Sequence, residues 1–296
     1  MKLQALADFI ETHHKPVKMA IAVAQDKYLI DAVIKAYDSQ LVIPLMIGNR
    51  EEILSLLPSS GKYHETFQII DEKDELLACK KAIDFLKNDE ADIICKGLVS
   101  TKVLMKEILS KSNNLLESPL VSHLAVFDSP YYHKLLGITD AALNIAPATE
   151  EKKTIAINAI KVFHKLKVEK PKVAFLSATE KIHPKIASSL EADELKKWFD
   201  ANRNDCITDG PLALDNAISG SAAKHKNISG KVAGDADILV VPNIESGNIL
   251  YKSLNFLGGA VSASTILGTK KPVVLTSRSD SAETKFYSIV LAAAIL

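Results

Sequence analysis

The sequence predicts an α/β protein built mostly on parallel sheet, and three observations predict it. Short runs rich in Val and Ile alternate along the chain with longer stretches of helical period. The short runs are apolar almost throughout rather than alternating, the pattern of strands covered on both faces. Strand-then-helix order then repeats from one end of the chain to the other, which favours crossover connections and parallel pairing.

The elements follow in order. Leu3–His13 has apolar residues at helical spacing, and Val17–Val23 reads as the first strand. Leu29–Tyr37 predicts a helix before the strand Leu41–Ile47, and Glu51–Leu57 and Glu75–Leu86 predict helices before the strand Ile93–Cys95. Thr101–Leu109 and Glu150–Leu166 predict helices, the first opened by Ser100 as an N-cap. The strands Val173–Leu176, Ile238–Val241 and Val273–Leu275 each precede a helix, at Leu190–Phe199, Asn248–Phe256 and Glu283–Ala294. No internal repeat or low-complexity segment interrupts the series.

Composition bounds the function. The 296 residues suggest about two domains. A hydrophobic share of 47% supports a real core, and 36 basic against 36 acidic residues leave no net charge for gripping nucleic acid or membrane in bulk. Cys79, Cys95 and Cys206 form no C-x-x-C pair, which excludes a disulfide framework and a Cys-rich zinc site and fits a reducing compartment. Asp8 and Glu11 break the only apolar stretch near the N-terminus, so no signal peptide is expected, and the apolar run Ile289–Leu296 is too short to span a bilayer. A cytoplasmic protein is the expectation.

Four junctions share one pattern, an apolar strand, a polar turn and then a helix start, at residues 93–101, 173–179, 239–248 and 274–281. In parallel sheets such turns lie at the carboxyl ends of strands, where ligands of open α/β folds bind. The helix N-termini that follow offer free N–H groups and partial positive charge to an anion. Neither a phosphate-binding P-loop nor a well-placed G-x-G-x-x-G is present. Arg is rare, at 50, 203 and 278 only, and Arg278 follows an apolar strand with Ser277 and Ser279 beside it, so it reads as an anion-binding guanidinium. Ser100-Thr101 after Lys96-Gly97 reads first as a plain helix cap; phosphate contact is compatible with that, because a capped end still points donors outward. The stretch 243–252 concentrates polar groups, among them Asn243, Glu245, Gly247, Asn248, Tyr251 and Lys252, directly after a strand. His13-His14 reads as a solvated helix end. Lys224-His225-Lys226 with Lys231 reads first as a solvated face and only second as a grip for a polyphosphate.

Several blocks together resemble one family. They are Asp209-Gly210-Pro211-Leu212-Ala213-Leu214-Asp215, the run 232–243, Glu245-Ser246-Gly247-Asn248-Ile249-Leu250-Tyr251-Lys252 and Ser277-Arg278, with Gly97-Leu98-Val99-Ser100 and Ser122-His123-Leu124 upstream. In order and spacing this is similar to the phosphate acyltransferases, the acetyl- and butyryltransferases. The length and the ending Leu275–Lys285 resemble the butyryl branch more closely.

The resemblance implies two αβα domains with mostly parallel sheets and an interdomain cleft holding the active site, the fold of isocitrate and isopropylmalate dehydrogenases. Domain I would comprise residues 1–128 plus 268–296, and domain II residues 129–267. The implied reaction is reversible transfer of a short-chain acyl group, butyryl first and acetyl as the alternative, between coenzyme A and inorganic phosphate. Coenzyme A would be a substrate, with no permanently bound cofactor and no metal site. The partners would be acyl-CoA, phosphate and acyl phosphate in a homo-oligomer, dimer or higher, with no nucleic acid or membrane involved. A metal- and NAD-dependent dehydrogenase on the same fold is the rival class, and a non-catalytic acyl-CoA or phosphate sensor a second rival.

The implied site residues fall into two sets. Arg278 would hold the phosphate and the developing charge, and Ser277 would donate a hydrogen bond. The acetyltransferases carry an Asp six positions after this Arg, where Thr284 stands here, so Glu283, then Asp280, are the candidate bases for the thiol. Lys96, Ser100, Thr101, Ser122, Asn243, Glu245, Gly247, Asn248, Tyr251 and Lys252 are the candidate substrate contacts.

Overall fold

The computed structural model describes residues 2–59 and 61–296. The chain divides into two compact units. One, the outer unit, comprises residues 3–117 and 263–296; the other, the middle unit, comprises residues 118–262 with the N-terminal Lys2.

The outer unit opens with α1 (Leu3–His13), β1 (Val17–Ala22), α2 (Lys27–Asp38), β2 (Val42–Gly48), α3 (Arg50–Leu56), α4 (Lys62–Thr66), β3 (Gln68–Asp71), α5 (Glu75–Lys87), β4 (Ile93–Lys96) and α6 (Thr101–Ile108). The middle unit carries β5 (Ser122–Asp128), β6 (Leu136–Thr139), α7 (Thr149–Lys165), β7 (Lys172–Leu176), α8 (Ala187–Asn202), β8 (Ile207–Leu212), α9 (Leu214–Ile218), α10 (Gly220–His225), β9 (Ile238–Val240) and α11 (Ile244–Phe256). Through β10 (Val261–Leu267) the chain returns to the outer unit, which ends with β11 (Val273–Val274) and α12 (Ala282–Ala294).

Side chains at the helix starts explain several boundaries. Asp26 caps α2 by accepting from Leu29 N at 3.0 Å, Asp74 caps α5 at Leu77 N, Ser100 caps α6 at Val103 N and Ser281 caps α12 at Thr284 N. α12 is buried almost all round, from Thr284 to Ala293, and packs on α1 and α2.

Strands of the outer unit run in the order β3-β2-β1-β4-β11-β10, parallel except where β10 meets β11. From β1 the chain leaves toward β2, and it reaches β4 on the other side of β1. The right-handed crossover rule therefore sets α2 and α5 on opposite faces and makes the carboxyl ends of β1 and β4 a topological switch point. In the middle unit the order is β5-β6-β9-β7-β8, antiparallel at β5–β6 and parallel beyond. Its core gathers Ala125, Phe127, Ile138, Leu239 and Val241.

The expected mostly parallel α/β architecture is present, with corrections of detail. The compact units change over at 117/118 and 262/263, before the expected breaks at 128 and 268, because β5 pairs with β6 and so belongs with the middle unit. After β7 no helix starts at Thr179; α8 begins only at Ala187, since Pro184 pushes the preceding residue out of helical conformation. Strands β3, β5, β6, β8 and β10 were not anticipated.

Candidate active site

The carboxyl ends of β1, β4 and β11 bring together the turn 22–26, the turn 96–100 and the loop 275–281. The first two turns lock by backbone bonds, Gly97 N to Ala22 O at 2.9 Å and Leu98 N to Val23 O at 2.8 Å. Their approach is so close that a Cβ on Gly97 would stand 1.9 Å from Val23 O. Val23 itself has φ +58°, a left-handed conformation that a β-branched residue takes only when its surroundings force it.

Cations then occupy three successive carbonyls of the 97–99 turn. Lys96 Nζ donates to Gly97 O at 3.1 Å and to Val99 O at 3.3 Å, and Arg278 Nη2 donates to Leu98 O at 3.0 Å between them. Lys96 is buried, 5% exposed. Burial lowers its pKa first, and the neighbouring charges of Lys285 and Arg278 add to that, with Cys95 and Asp26 opposing. Arg278 is exposed, so its guanidinium can meet a ligand while one edge stays anchored.

The loop that carries Arg278 is held from below. Asp280 Oδ2 accepts from Ser277 N at 2.7 Å, and Asp280 N donates to Ser277 O at 3.2 Å. Lys285 Nζ donates to the same Ser277 O at 3.1 Å and to Asp26 Oδ2 at 3.4 Å. Ser277 Oγ is exposed and pairs with Ser279 Oγ at 3.0 Å.

Placement separates the predicted residues by role. Ser277, Arg278, Glu283, Lys96, Ser100 and Thr101 all lie on the outer unit; Glu283 and Thr101 are exposed at the first turns of α12 and α6. Asp280 is buried, 7% exposed, and its carboxylate closes the loop, so the geometry gives it a structural task. Thr284 is buried and its N–H is capped by Ser281.

The remaining candidates lie on the middle unit. Ser122 is fully buried and accepts from Asn158 Nδ2 of α7 at 3.2 Å, so it fastens α7 to β5 and is withdrawn as a substrate contact. Asn243 caps α11 at Ser246 N, Gly247 lets α11 pass where a Cβ would stand 2.7 Å from Asp140 O, and Asn248 Nδ2 donates to Ala141 O at 3.3 Å. Gly247 and Asn248 set the start of α11 against the loop after β6. Glu245 and Lys252 are exposed, and Tyr251 is half-buried with its ring against Phe127 and His123. The Lys224–Lys226 cluster answers charge on its own unit, Lys226 pairing with Asp215 at 3.0 Å.

Sequence reasoning passed over Asp26, Asp140 and the positioning contacts of Lys285. Asp140 accepts from His123 N, Ala142 N, Leu143 N and Asn144 Nδ2, which makes it the organiser of its loop. The signal available for Lys285 was its position one helical turn before the apolar run Ile289–Leu296, where a lone cation has to find a partner. Among the described residues no group of three or more His, Cys, Asp or Glu is placed to hold a metal ion.

Parallel strands ending at a buried lysine, an anchored arginine and capped helix starts define an α/β protein with a cluster of cations at the carboxyl ends of its strands. Residues 65–293 match the family described as Phosphate acetyl/butaryl transferase. The chain is 41% identical over 279 residues to the phosphate butyryltransferase of Clostridium acetobutylicum, covering 94% of this chain and 93% of that one. It is 41% identical over 280 residues to the phosphate acetyltransferase of Thermotoga maritima, covering 94% and 95%. Among solved structures it resembles a branched-chain phosphotransacylase from Enterococcus faecalis V583, with a TM-score of 0.86 and 37% identity over 94% of this chain and 98% of that one. A 4-hydroxythreonine-4-phosphate dehydrogenase from Salmonella typhimurium shares the fold alone, with a TM-score of 0.61 and 12% identity over 96% of this chain and all of that one. The chain belongs to the phosphate acetyl/butyryl transferase family.

Proposed function

We propose that the protein is a phosphate acyltransferase that moves a short-chain acyl group reversibly between coenzyme A and inorganic phosphate, with butyryl as the first expectation for that group. One observation carries this reading: a chain that matches acyl-phosphate-forming relatives over 94% of its length also places Ser277-Arg278 at the end of β11, anchored on the turn after β4. The dehydrogenase neighbour supports kinship with the isocitrate and isopropylmalate dehydrogenase fold, which specifies no chemistry by itself.

In the direction of acyl phosphate, a phosphate oxygen attacks the thioester carbonyl, a C–O bond forms, the C–S bond breaks, and coenzyme A leaves as a thiolate that takes up a proton. Three demands follow. Phosphate must be held, which suits the Arg278 fork and the starts of α6 and α12 with Ser100 and Thr101. Charge that grows on the carbonyl oxygen needs donors aimed at it, a task for Arg278 and Ser277. The sulfur needs an acid–base partner, for which Glu283, exposed on the first turn of α12, ranks ahead of the buried Asp280. Cys95, next to Lys96, is fully buried and its thiol is pushed up to about 12 by burial, so it is no nucleophile, in keeping with direct transfer between the two substrates.

On the middle unit, Glu245, Tyr251 and Lys252 are the remaining candidates for coenzyme A contact. Acyl chain length changes binding by about 0.8 kcal/mol per buried CH₂, so one or two side chains suffice to set it. The test is phosphate-dependent release of free thiol from acetyl-, butyryl- and branched-chain acyl-CoA. Activity with at least one of them is expected, strongest with butyryl-CoA; none with any of the three overturns the reading.

A further inference from the structure

We propose that Lys285 and Asp26 form a buried positioning pair that sets the direction in which Arg278 leaves its loop. Lys285 is 2% exposed and Asp26 7%, a burial at which charged side chains seldom occur without a structural or functional task. The Lys285 ammonium binds the Asp26 carboxylate and the carbonyl of Ser277. Asp26 in turn uses its other oxygen to cap α2 at Leu29 N. The pair therefore joins the turn after β1, the start of α12 and the loop after β11 at one point.

That point is the peptide next to Arg278. The Ser277 N–H is taken by the Asp280 carboxylate, and the Ser277 carbonyl by Lys285 and Asp280 N. With both ends of one residue clamped, the peptide plane that leads into Arg278 is held in orientation. The far end of that side chain is fixed separately on Leu98 O. The sequence shows the need for such a clamp. Loop 277–281 consists of three serines, Arg278 and Asp280, with no apolar residue to seat it.

The inference deepens the reading of Arg278 as the phosphate-holding group and rests on it. Lys285→Met alone leaves Asp26 buried and unpaired, so that variant can fail to fold. Asp26→Asn with Lys285→Met removes both charges and is the decisive variant, because a buried pair is often replaced without loss of stability. Two readouts are taken on the full chain: steady-state kinetics against phosphate and acyl-CoA, and the rise in melting temperature given by inorganic phosphate. Expected for the double variant is a native melt without phosphate, a fall on the order of 10²-fold in kcat/KM for phosphate, an unchanged KM for acyl-CoA and a weakened phosphate-induced rise. A double variant that keeps kcat/KM for phosphate and its phosphate-induced rise within about twofold of the parent overturns the positioning role, as does a parallel loss in both substrates that tracks the melt. The two readings fail separately. If Arg278→Gln leaves phosphate binding intact, the phosphate site itself is lost; if Arg278→Gln abolishes it and the double variant does not, only the positioning pair is lost.

Discussion

Gly97→Ala is a one-methyl change whose consequences can be worked out from the coordinates. The added Cβ would stand 1.9 Å from Val23 O, 2.6 Å from Val23 C and 2.8 Å from Ala22 O. All three are backbone atoms of a strand end, so no side chain can rotate away, and the turn after β4 must retreat by about 1 Å or more. Retreat stretches the bonds from Gly97 N to Ala22 O and from Leu98 N to Val23 O. Overpacking and the weakening of two buried backbone bonds together cost about 4 kcal/mol. Leu98 O moves with the turn, and with it the 3.0 Å anchor of Arg278. A displacement of that size at a reacting group lowers kcat/KM on the order of 10²-fold. Urea unfolding followed by far-UV circular dichroism reads the first effect, and thiol release from butyryl-CoA under limiting phosphate reads the second. A variant with the parent's midpoint and the parent's kcat/KM would refute the claim that this contact sets the site.

Further expectations concern charge and protonation. Arg278→Lys keeps a cation but loses the planar fork that can hold Leu98 O and an anion together, so kcat/KM should fall on the order of 10²–10³-fold with the melting temperature unchanged; retention of activity in phosphate kinetics would count against the anchored fork. Glu283→Gln should depress kcat and remove one limb of its pH profile without changing stability, since the side chain is exposed, whereas Asp280→Asn should lower stability by weakening the bond to Ser277 N; profiles of kcat against pH and parallel melts separate the two. Burial holds the His123 imidazole below its ordinary 6.5, opposed by Asp140. The unfolded chain therefore binds a proton that the folded chain refuses as pH falls below 6.5, so stability present above that value declines toward the folded pKa. Melting His123→Phe and the parent at about pH 7.5 and about pH 5.5 should show a flatter acid loss in the variant, and equal slopes would reject this account.

Much of the outer unit was legible because its strands are dense in Val, Ile, Leu and Met and its helices begin at Asp or Ser caps. β1, β2 and β4 were expected within a residue or two of where they lie, and so was α12. The strands that escaped notice break the local rules. β8 contains Gly210-Pro211, which a sheet tolerates at an edge, and β8 ends its row. β10 sets the buried Ser262, Ser264 and Thr265 among its apolar residues, with Ser264 N donating to Ser288 Oγ of α12 and Thr265 Oγ1 to Val273 O.

For the site, composition and spacing picked out Arg278 because arginine is rare here and this one follows a buried strand. They could not show what steadies it. Local sequence determined the strand-and-helix series, the polar turns at strand ends and the rare guanidinium, because each depends on neighbours a few positions away. Only the tertiary structure decided that Asp26 reaches Lys285, that Leu98 O receives Arg278, that Asp280 closes a loop and that Ser122 is sealed inside, because those outcomes depend on strand order and on which backbone groups long-range packing leaves to be satisfied.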